Sequence, residues 1–173
     1  MRIADIRLLY SHSCWAVERI LAAAGELTPE QLRLPGPSGG DGLRAVLVHI
    51  LNWEITWRER CRCGLCESPW IAEEDYPDAH SLGQRWQVEA ASMVAYLDAL
   101  RDEDLTRAVR YRRRSGHMAD AILWHLLMHI LMHGAHHRSE AAALLTYHGA
   151  SPGDLDLLVY LRQETSLAPD LVE

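Results

Sequence analysis

Apolar residues recur at helical spacing in four long stretches of the chain. The first stretch ends at Gly25, and one face of it carries the apolar positions Ile6, Leu9, Ala16, Ile20 and Leu21. The second stretch runs from about residue 41 to residue 61, with Asp41 or Ser38 as its predicted N-cap. The pattern therefore predicts two helices in the first third of the sequence, separated by a glycine- and proline-rich loop at 35–42.

Two further helices are predicted in the rest of the chain. The third covers residues 82–101, and the fourth spans roughly residues 118–148 and ends near Gly149 and Pro152. Residues 102–117 are interpreted as a linker, and residues 154–164 as a short helical extension. With no convincing strand and no internal repeat, these elements predict an all-α, four-helix bundle in which residues 1–173 form a single domain.

Length, charge and composition narrow the class of protein. The chain has 173 residues and a net charge of −7, which argues against a general nucleic-acid-binding role because phosphate binding needs a positive surface. No apolar run approaches the length of a membrane span, and the N-terminus does not resemble a signal peptide. We therefore expect a cytoplasmic protein whose four cysteines are thiols.

The predicted fourth helix contains five of the ten histidines, within "WHLLMHILMHGAHHR". Spacings of three or four residues place two imidazoles on one helical face, where they can bind the same metal ion. Four pairs have such spacings, so spacing alone does not select one: His125 with His129, His129 with His133, His133 with His136, and His133 with His137.

The helical phase favours one of these pairs. At 100° per residue, His133 and His137 fall in the same arc as Leu126 and Ile130, and we expect this arc to face the centre of the bundle. A shared metal, buried water or a carboxylate partner would each satisfy the two imidazoles there. Met128 and Met132 beside these histidines are interpreted as core residues and not as haem ligands, because methionine commonly fills irregular gaps in a core.

A third ligand is predicted from the second helix. His49 shares a face with Val46 and Trp53, so it lies on a stripe that faces the core. Three protein ligands leave a position for water or substrate, as in catalytic zinc sites. Glu140 follows His137 on the same stripe and is a candidate fourth ligand, a hydrogen-bond acceptor for an imidazole, or a residue that reaches solvent.

The sequence resembles the DinB/YfiT-like metalloenzymes nearly from end to end. The segments that carry the resemblance are "SCWAVERIL", "LRAVLVHILNWEITW", "LWHLLMHILMHGAHHRSE" and "YHGASPGDLDLLVYL". The resemblance implies that His49, His133 and His137 are the metal ligands and that His129 is not. The chain departs from the family pattern where Met132 replaces a common asparagine and where Ser139 and Glu140 replace the usual Gly-Gln.

The resemblance also implies a function. Relatives are four-helix bundles with a divalent metal such as zinc or nickel, they are often dimers, and some transfer a low-molecular-weight thiol. We therefore predict a metal-dependent, thiol-using transferase that acts on a small molecule as a homodimer. His129, Asn52 and Glu140 are predicted to contact the ligating histidines, and Trp53 to form a wall of the pocket. The alternative is a non-catalytic metal-binding or stress-response protein.

A cysteine cluster, an arginine run and Arg138 are interpreted without a catalytic role. The cluster "CRCGLC", with Cys61, Cys63 and Cys66, offers fewer than the four ligands of a structural zinc site. The run "RYRRR" at 110–114 is interpreted as a solvated linker; if it is extended, Arg110, Arg112 and Arg114 alternate onto one side and could steer an anionic substrate. Arg138 points about 100° away from His137 and is predicted to form a structural ion pair.

Overall fold

Most of the chain is helical. A computed structural model describes residues 1–37, 39–65, 70–113 and 115–165. The helices are α1 (Ile3–Ala24), α2 (Leu43–Cys63), α3 (Ala79–Asp98), α4 (Leu123–Tyr147) and α5 (Leu157–Thr165). The strands are β1 (Pro35–Gly36), β2 (Gly39–Gly42), β3 (Ala108–Arg112) and β4 (Met118–Ile122), and single 3-10 turns occur at Gln31–Arg33, Glu73–Asp75 and Asp102–Thr106.

The four long helices pack pairwise around an apolar interior. Helix α4 lies against α1 and α2, and α3 lies against the other sides of the same two helices. Fully buried side chains such as Ile20, Leu51 and Leu145 come from three of these helices. The predicted C-terminal extension corresponds to α5, where the Gln163 amide oxygen accepts a 3.1 Å hydrogen bond from the Trp15 indole. Within the described residues, no helix combines the length and apolarity needed to cross a membrane.

Two antiparallel hairpins correct the all-α prediction. Strands β3 and β4 pair from Ala108 opposite Ile122 to Arg112 opposite Met118, in the segment interpreted as a linker. Along β3, Val109 is buried and Tyr111 half-buried, while the residues between and beside them are exposed. This two-residue alternation is typical of a strand with one packed face. Helix α4 consequently begins at Leu123, five residues later than predicted, because residues 118–122 belong to β4.

The start of α2 also differs from the prediction. Its N-cap is Gly42, because Asp41 lies within β2, which pairs with β1; Ser38, the other candidate, lies outside the described residues. A Cβ atom at position 42 would lie 2.4 Å from the Arg33 carbonyl oxygen. The close approach of these two backbone segments therefore requires glycine at this position.

Candidate metal centre

Three histidines from two helices meet at the junction of α2 and α4. The ring centroid of His49 lies 4.5 Å from that of His137 and 5.4 Å from that of His133. The two α4 rings, one helical turn apart, are separated by 4.6 Å. One nitrogen from each ring can be chosen so that all three lie within 4.8 Å of one another. The three residues therefore form a group that can hold a metal ion.

The group lies at the border between core and solvent, which corrects the expected helical phase. All three histidines are half-buried. The buried face of α4 carries Leu127, Ala141 and Leu145, which at 100° per residue lie about 80–120° from His133. Met132, interpreted as a core residue, is 67% exposed for the same reason. The histidines thus keep a route to solvent that a central position would have closed.

The electrostatics favour neutral imidazoles. Burial, reinforced by His137 and His49, lowers the pKa of His133 to about 4. Burial and the neighbouring His137 also lower the pKa of His49. A metal binds the neutral form of imidazole, so these shifts keep the lone pairs available at neutral pH. A set of three imidazole nitrogens suits zinc or nickel better than magnesium or calcium, which prefer oxygen ligands.

The residues predicted to support the ligands make different contacts. The Glu140 carboxylate lies 2.8 Å from His137 Nδ1. The His129 ring packs edge-on to Trp57 at 4.8 Å and lies 5.7 Å from the His133 ring. The two hydrogen bonds described for the Asn52 side chain join the Ile71 backbone instead, donating to its carbonyl oxygen at 3.0 Å and accepting from its N–H at 2.8 Å.

An aromatic wall extends from the histidines along α2. Trp53 lies 6.1 Å from the rings of both His49 and His133. Trp57 and Trp70 lie 6.5 Å and 5.5 Å from Trp53, between ring centroids. Tyr111 of β3 continues the wall, 5.2 Å from Trp57. We call these four residues, Trp53, Trp57, Trp70 and Tyr111, the aromatic wall.

The sequence identified one member of the wall and missed the others. Trp57 and Arg60 follow His49 by eight and eleven residues, so they share its helical face and were detectable from spacing. Tyr111 was not detectable in this way, because it reaches the wall from a segment interpreted as a linker. The guanidinium of Arg60 lies 4.6 Å from the Trp57 ring centroid.

A second polar cluster lies inside the helix packing. Tyr10 donates a 2.6 Å hydrogen bond to Glu54, whose pKa burial raises to about 7. Arg138, predicted to form an ion pair, is buried and donates to the Ser13 hydroxyl at 2.7 Å. The guanidinium of Arg58 donates two hydrogen bonds to the carboxylate of Glu89, which is 1% exposed; the Nη2 bond is 3.0 Å long.

The remaining sequence features lie apart from the histidines. Cys14 and Cys61 are free thiols, but Cys63 is disulfide-bonded, so the prediction of thiols fails at that residue. Burial raises the pKa of Cys61 to about 12, which leaves it unreactive. Cys66 and Arg114 lie outside the described residues. Arg110 and Arg112 do share one side of β3, but it is the side opposite Tyr111.

The fold and site together define a class: a mostly helical protein with a solvent-accessible three-histidine group suited to a transition metal. The family model of the DinB family matches residues 3–170, and the chain belongs to that family. Among curated proteins, none matches the chain in sequence.

Solved structures show the same fold. A DinB-like protein from Bacillus cereus ATCC 10987 superposes with a TM-score of 0.72 at 19% identity, over 88% of this chain and 97% of that one. A conserved protein from Enterococcus faecalis superposes with a TM-score of 0.55 at 14% identity, over 83% of this chain and 96% of that one. At such identities the similarity shows the fold alone.

Proposed function

We propose that His49, His133 and His137 bind one divalent ion, zinc or nickel, and that the protein uses it to transfer a low-molecular-weight thiol to a small electrophile. The observation that carries the proposal is the convergence of three imidazole nitrogens within 4.8 Å at a half-buried site. Membership of the DinB family supports it. We also propose that α1 to α4 form the four-helix bundle typical of DinB/YfiT-like proteins, since each contacts two neighbours.

In this proposal the protein holds and orients the reacting groups. Three histidine ligands leave room for a thiol or water, whose pKa the ion lowers when it is bound. Glu140 would hold the His137 ring through Nδ1, which leaves Nε2 of that ring as the nitrogen to bind the ion. Trp53 packs beside His49 and His133 and limits the access of water on that side.

The proposed reaction is a substitution at the electrophile. The thiol sulfur forms a bond to the electrophilic carbon, and the leaving group departs with the electron pair of the bond that breaks. The thiol proton passes to solvent, so no oxidant or reductant is consumed.

Metal analysis of protein purified without an affinity tag tests the first half of the proposal. We expect about one equivalent of metal per chain and none in the triple alanine variant of His49, His133 and His137. The single variant His125→Ala is a matched control, because this exposed histidine lies on α4 outside the group. The metal site is disproved if the purified wild type contains no metal and if the wild type and the triple variant melt at the same temperature when zinc is added to both.

Cobalt substitution tests the second half of the proposal, the binding and transfer of a thiol. A small thiol that coordinates the ion should add a sulfur-to-metal charge-transfer band to the spectrum of the cobalt protein. We then expect thiol-dependent turnover of members of an electrophile panel, lost in the triple variant. Metal binding without a thiol band or turnover would instead favour the non-catalytic metal-binding alternative.

Two further expectations stay predictions. A homodimer is expected from the family resemblance, and sedimentation velocity measures the mass directly. The cytoplasmic location is expected from the sequence, and fractionation of cells that express the protein at native levels tests it.

A further inference from the structure

Arg60, a cation near the histidine group, has no acidic partner in the part of the chain that the structure describes. Arg60 makes no ion pair among the described residues, and its guanidinium lies over the aromatic wall, 4.6 Å from Trp57, 5.8 Å from Tyr111 and 5.9 Å from Trp53. Its acidic neighbour in sequence, Glu59, is already engaged. One Glu59 oxygen accepts from Arg58 at 2.5 Å, and the other accepts from Arg62 at 2.7 Å.

The surroundings position Arg60 without neutralising it. Cation–π contacts hold a guanidinium in place but leave its N–H groups free to donate. Burial lowers the pKa of Arg60, and no carboxylate opposes this effect. A half-buried guanidinium held in this way is suited to pair with a carboxylate through two parallel hydrogen bonds.

Arg60 lies close enough to His133 for one small molecule to reach both. The Trp53 ring centroid lies 6.1 Å from the His133 ring and 5.9 Å from the Arg60 Cζ, so His133 and Arg60 are no more than about 12 Å apart. Trp53 neighbours both of them, and Trp57 packs against Trp53 and the Arg60 guanidinium. Trp70 is 55% exposed beside Trp53, which leaves an apolar surface that a ligand would cover.

We propose that Arg60 determines substrate specificity by binding the carboxylate of an organic anion whose apolar body lies on the aromatic wall and whose other end reaches the three histidines. This inference rests on the proposed function for the reaction, but not for the binding of the anion. It assigns to Arg60 the role that the sequence suggested for the 110–114 run, of which Arg110 and Arg112 lie on the outer side of β3.

Calorimetric titration of metal-free protein with 3-phenylpropionate and its neutral amide tests the proposal. Removing the metal prevents the carboxylate from ligating it directly, so the result does not depend on the metal or on catalysis. We expect the wild type to prefer the carboxylate to the amide by at least tenfold. Arg60→Gln should lose that preference, whereas Arg60→Lys should retain part of it.

Two matched variants separate charge from packing. Arg62→Gln removes an arginine from the same end of α2 that is paired with Glu59, and it should change the carboxylate affinity by less than twofold. Trp53→Leu should weaken the carboxylate and the amide equally, because it removes the apolar platform alone. Circular dichroism and the melting temperature confirm that each variant is folded.

The proposal is overturned if Arg60→Gln binds the carboxylate as the wild type does. It is also overturned if the wild type shows no preference for the carboxylate, including the case in which neither probe binds. A protein that contains no metal but discriminates the two probes through Arg60 would refute the proposed function and leave this inference standing.

Discussion

Two polar clusters, one drawn from all four long helices and the other from α2 and α4 alone, differ in how their groups are satisfied. In the buried cluster, Glu89 is bound by Arg58, Tyr10 donates to Glu54, and Arg138 donates to Ser13. At the α2–α4 border, three imidazoles face one another with mutually unfavourable charge when protonated. The first arrangement satisfies its own groups, whereas the second leaves three imidazole nitrogens that could hold a metal ion.

Consecutive residues of α4 belong to the two clusters. His137 is half-buried and faces the other histidines, whereas Arg138 turns about 100° further into the interior. Gly134 makes that inward turn possible, because a Cβ atom there would lie 2.8 Å from the Arg138 guanidinium. Burial therefore does not by itself mark a functional group, because the half-buried His137, and not the buried Arg138, belongs to the candidate metal centre.

The largest expected effect comes from breaking the buried cluster. Glu89→Ala leaves the Arg58 guanidinium without its main partner, and we expect a loss of about 3–5 kcal/mol in the free energy of unfolding. Urea denaturation of metal-free protein measures it. The control Glu103→Ala removes an exposed pair with Arg101 and should cost less than about 1 kcal/mol.

The loss of stability in Glu89→Ala should not be accompanied by a loss of metal affinity. Folded Glu89→Ala should bind zinc as the wild type does, since Glu89 does not belong to the histidine group. A large loss of zinc affinity in Glu89→Ala would show that the two clusters are coupled, contrary to the comparison.

The second prediction concerns the histidine group, where we expect a small effect on stability and a large effect on zinc binding. His133→Ala should leave the stability of metal-free protein nearly unchanged but remove the stabilisation by zinc, which amounts to about 2.7 kcal/mol at a hundredfold excess over Kd. Thermal melts with and without zinc measure it, with His125→Ala as the control on the same helix. Equal zinc shifts in His133→Ala and wild type would remove His133 from the site.

The sequence predicted the helices from local periodicity, whereas the choice of His49, His133 and His137 also needed the family resemblance, because spacing left four histidine pairs open on α4. Helical spacing is a property of neighbouring residues, and so is the one-turn separation of His133 and His137. The strand β3 was missed because it has two inward apolar positions, Val109 and Tyr111, among exposed arginines. So few alternating positions do not distinguish a strand from a charged linker.

The apolar positions of α4 did not predict how deeply the histidine group is buried. On α4, apolar residues cover a wide arc, from Leu126 near His133 to Leu131 at about 160° from it. Several positions within such an arc could mark its centre, and packing against α1 and α2 places that centre about 90° from His133. The aromatic wall was partly hidden for a related reason, because Tyr111 joins it only through tertiary packing.

A third prediction concerns pH, because one residue of each cluster has a shifted pKa and the two shifts have opposite directions. Burial raises the pKa of Glu54 from 4.5 to about 7, so between these values the folded protein holds a proton that the unfolded chain has released. The contribution of Glu54 to stability is therefore full below pH 4.5 and is lost as the pH rises to about 7. His133 is opposite: its pKa falls from 6.5 to about 4, so its contribution is present above pH 6.5 and is lost as the pH falls to 4.

Unfolding of metal-free variants in urea from pH 4.5 to pH 7.5 checks both signs. Relative to wild type, Glu54→Gln should become more stable as the pH rises, and it preserves the acceptor for Tyr10. Relative to wild type, His133→Ala should become more stable as the pH falls. The assigned pKa shifts are contradicted if the difference in unfolding free energy between each variant and the wild type stays constant across this pH range.

The smallest expected effect concerns Glu140, which contacts the histidine group from outside. Its carboxylate lies 2.8 Å from His137 Nδ1 and is 45% exposed, so Glu140→Gln should lower zinc affinity by about tenfold, the lower end for residues that orient a ligand. Competition with a chromophoric chelator measures this change, and Ser139→Ala is the neighbouring control. The cobalt spectrum distinguishes the two roles of Glu140: an unchanged band pattern at lower affinity indicates an orienting residue, whereas a changed pattern indicates that Glu140 is itself a ligand. The second result would move Glu140 into the metal site and leave the ion with one fewer open position for a thiol.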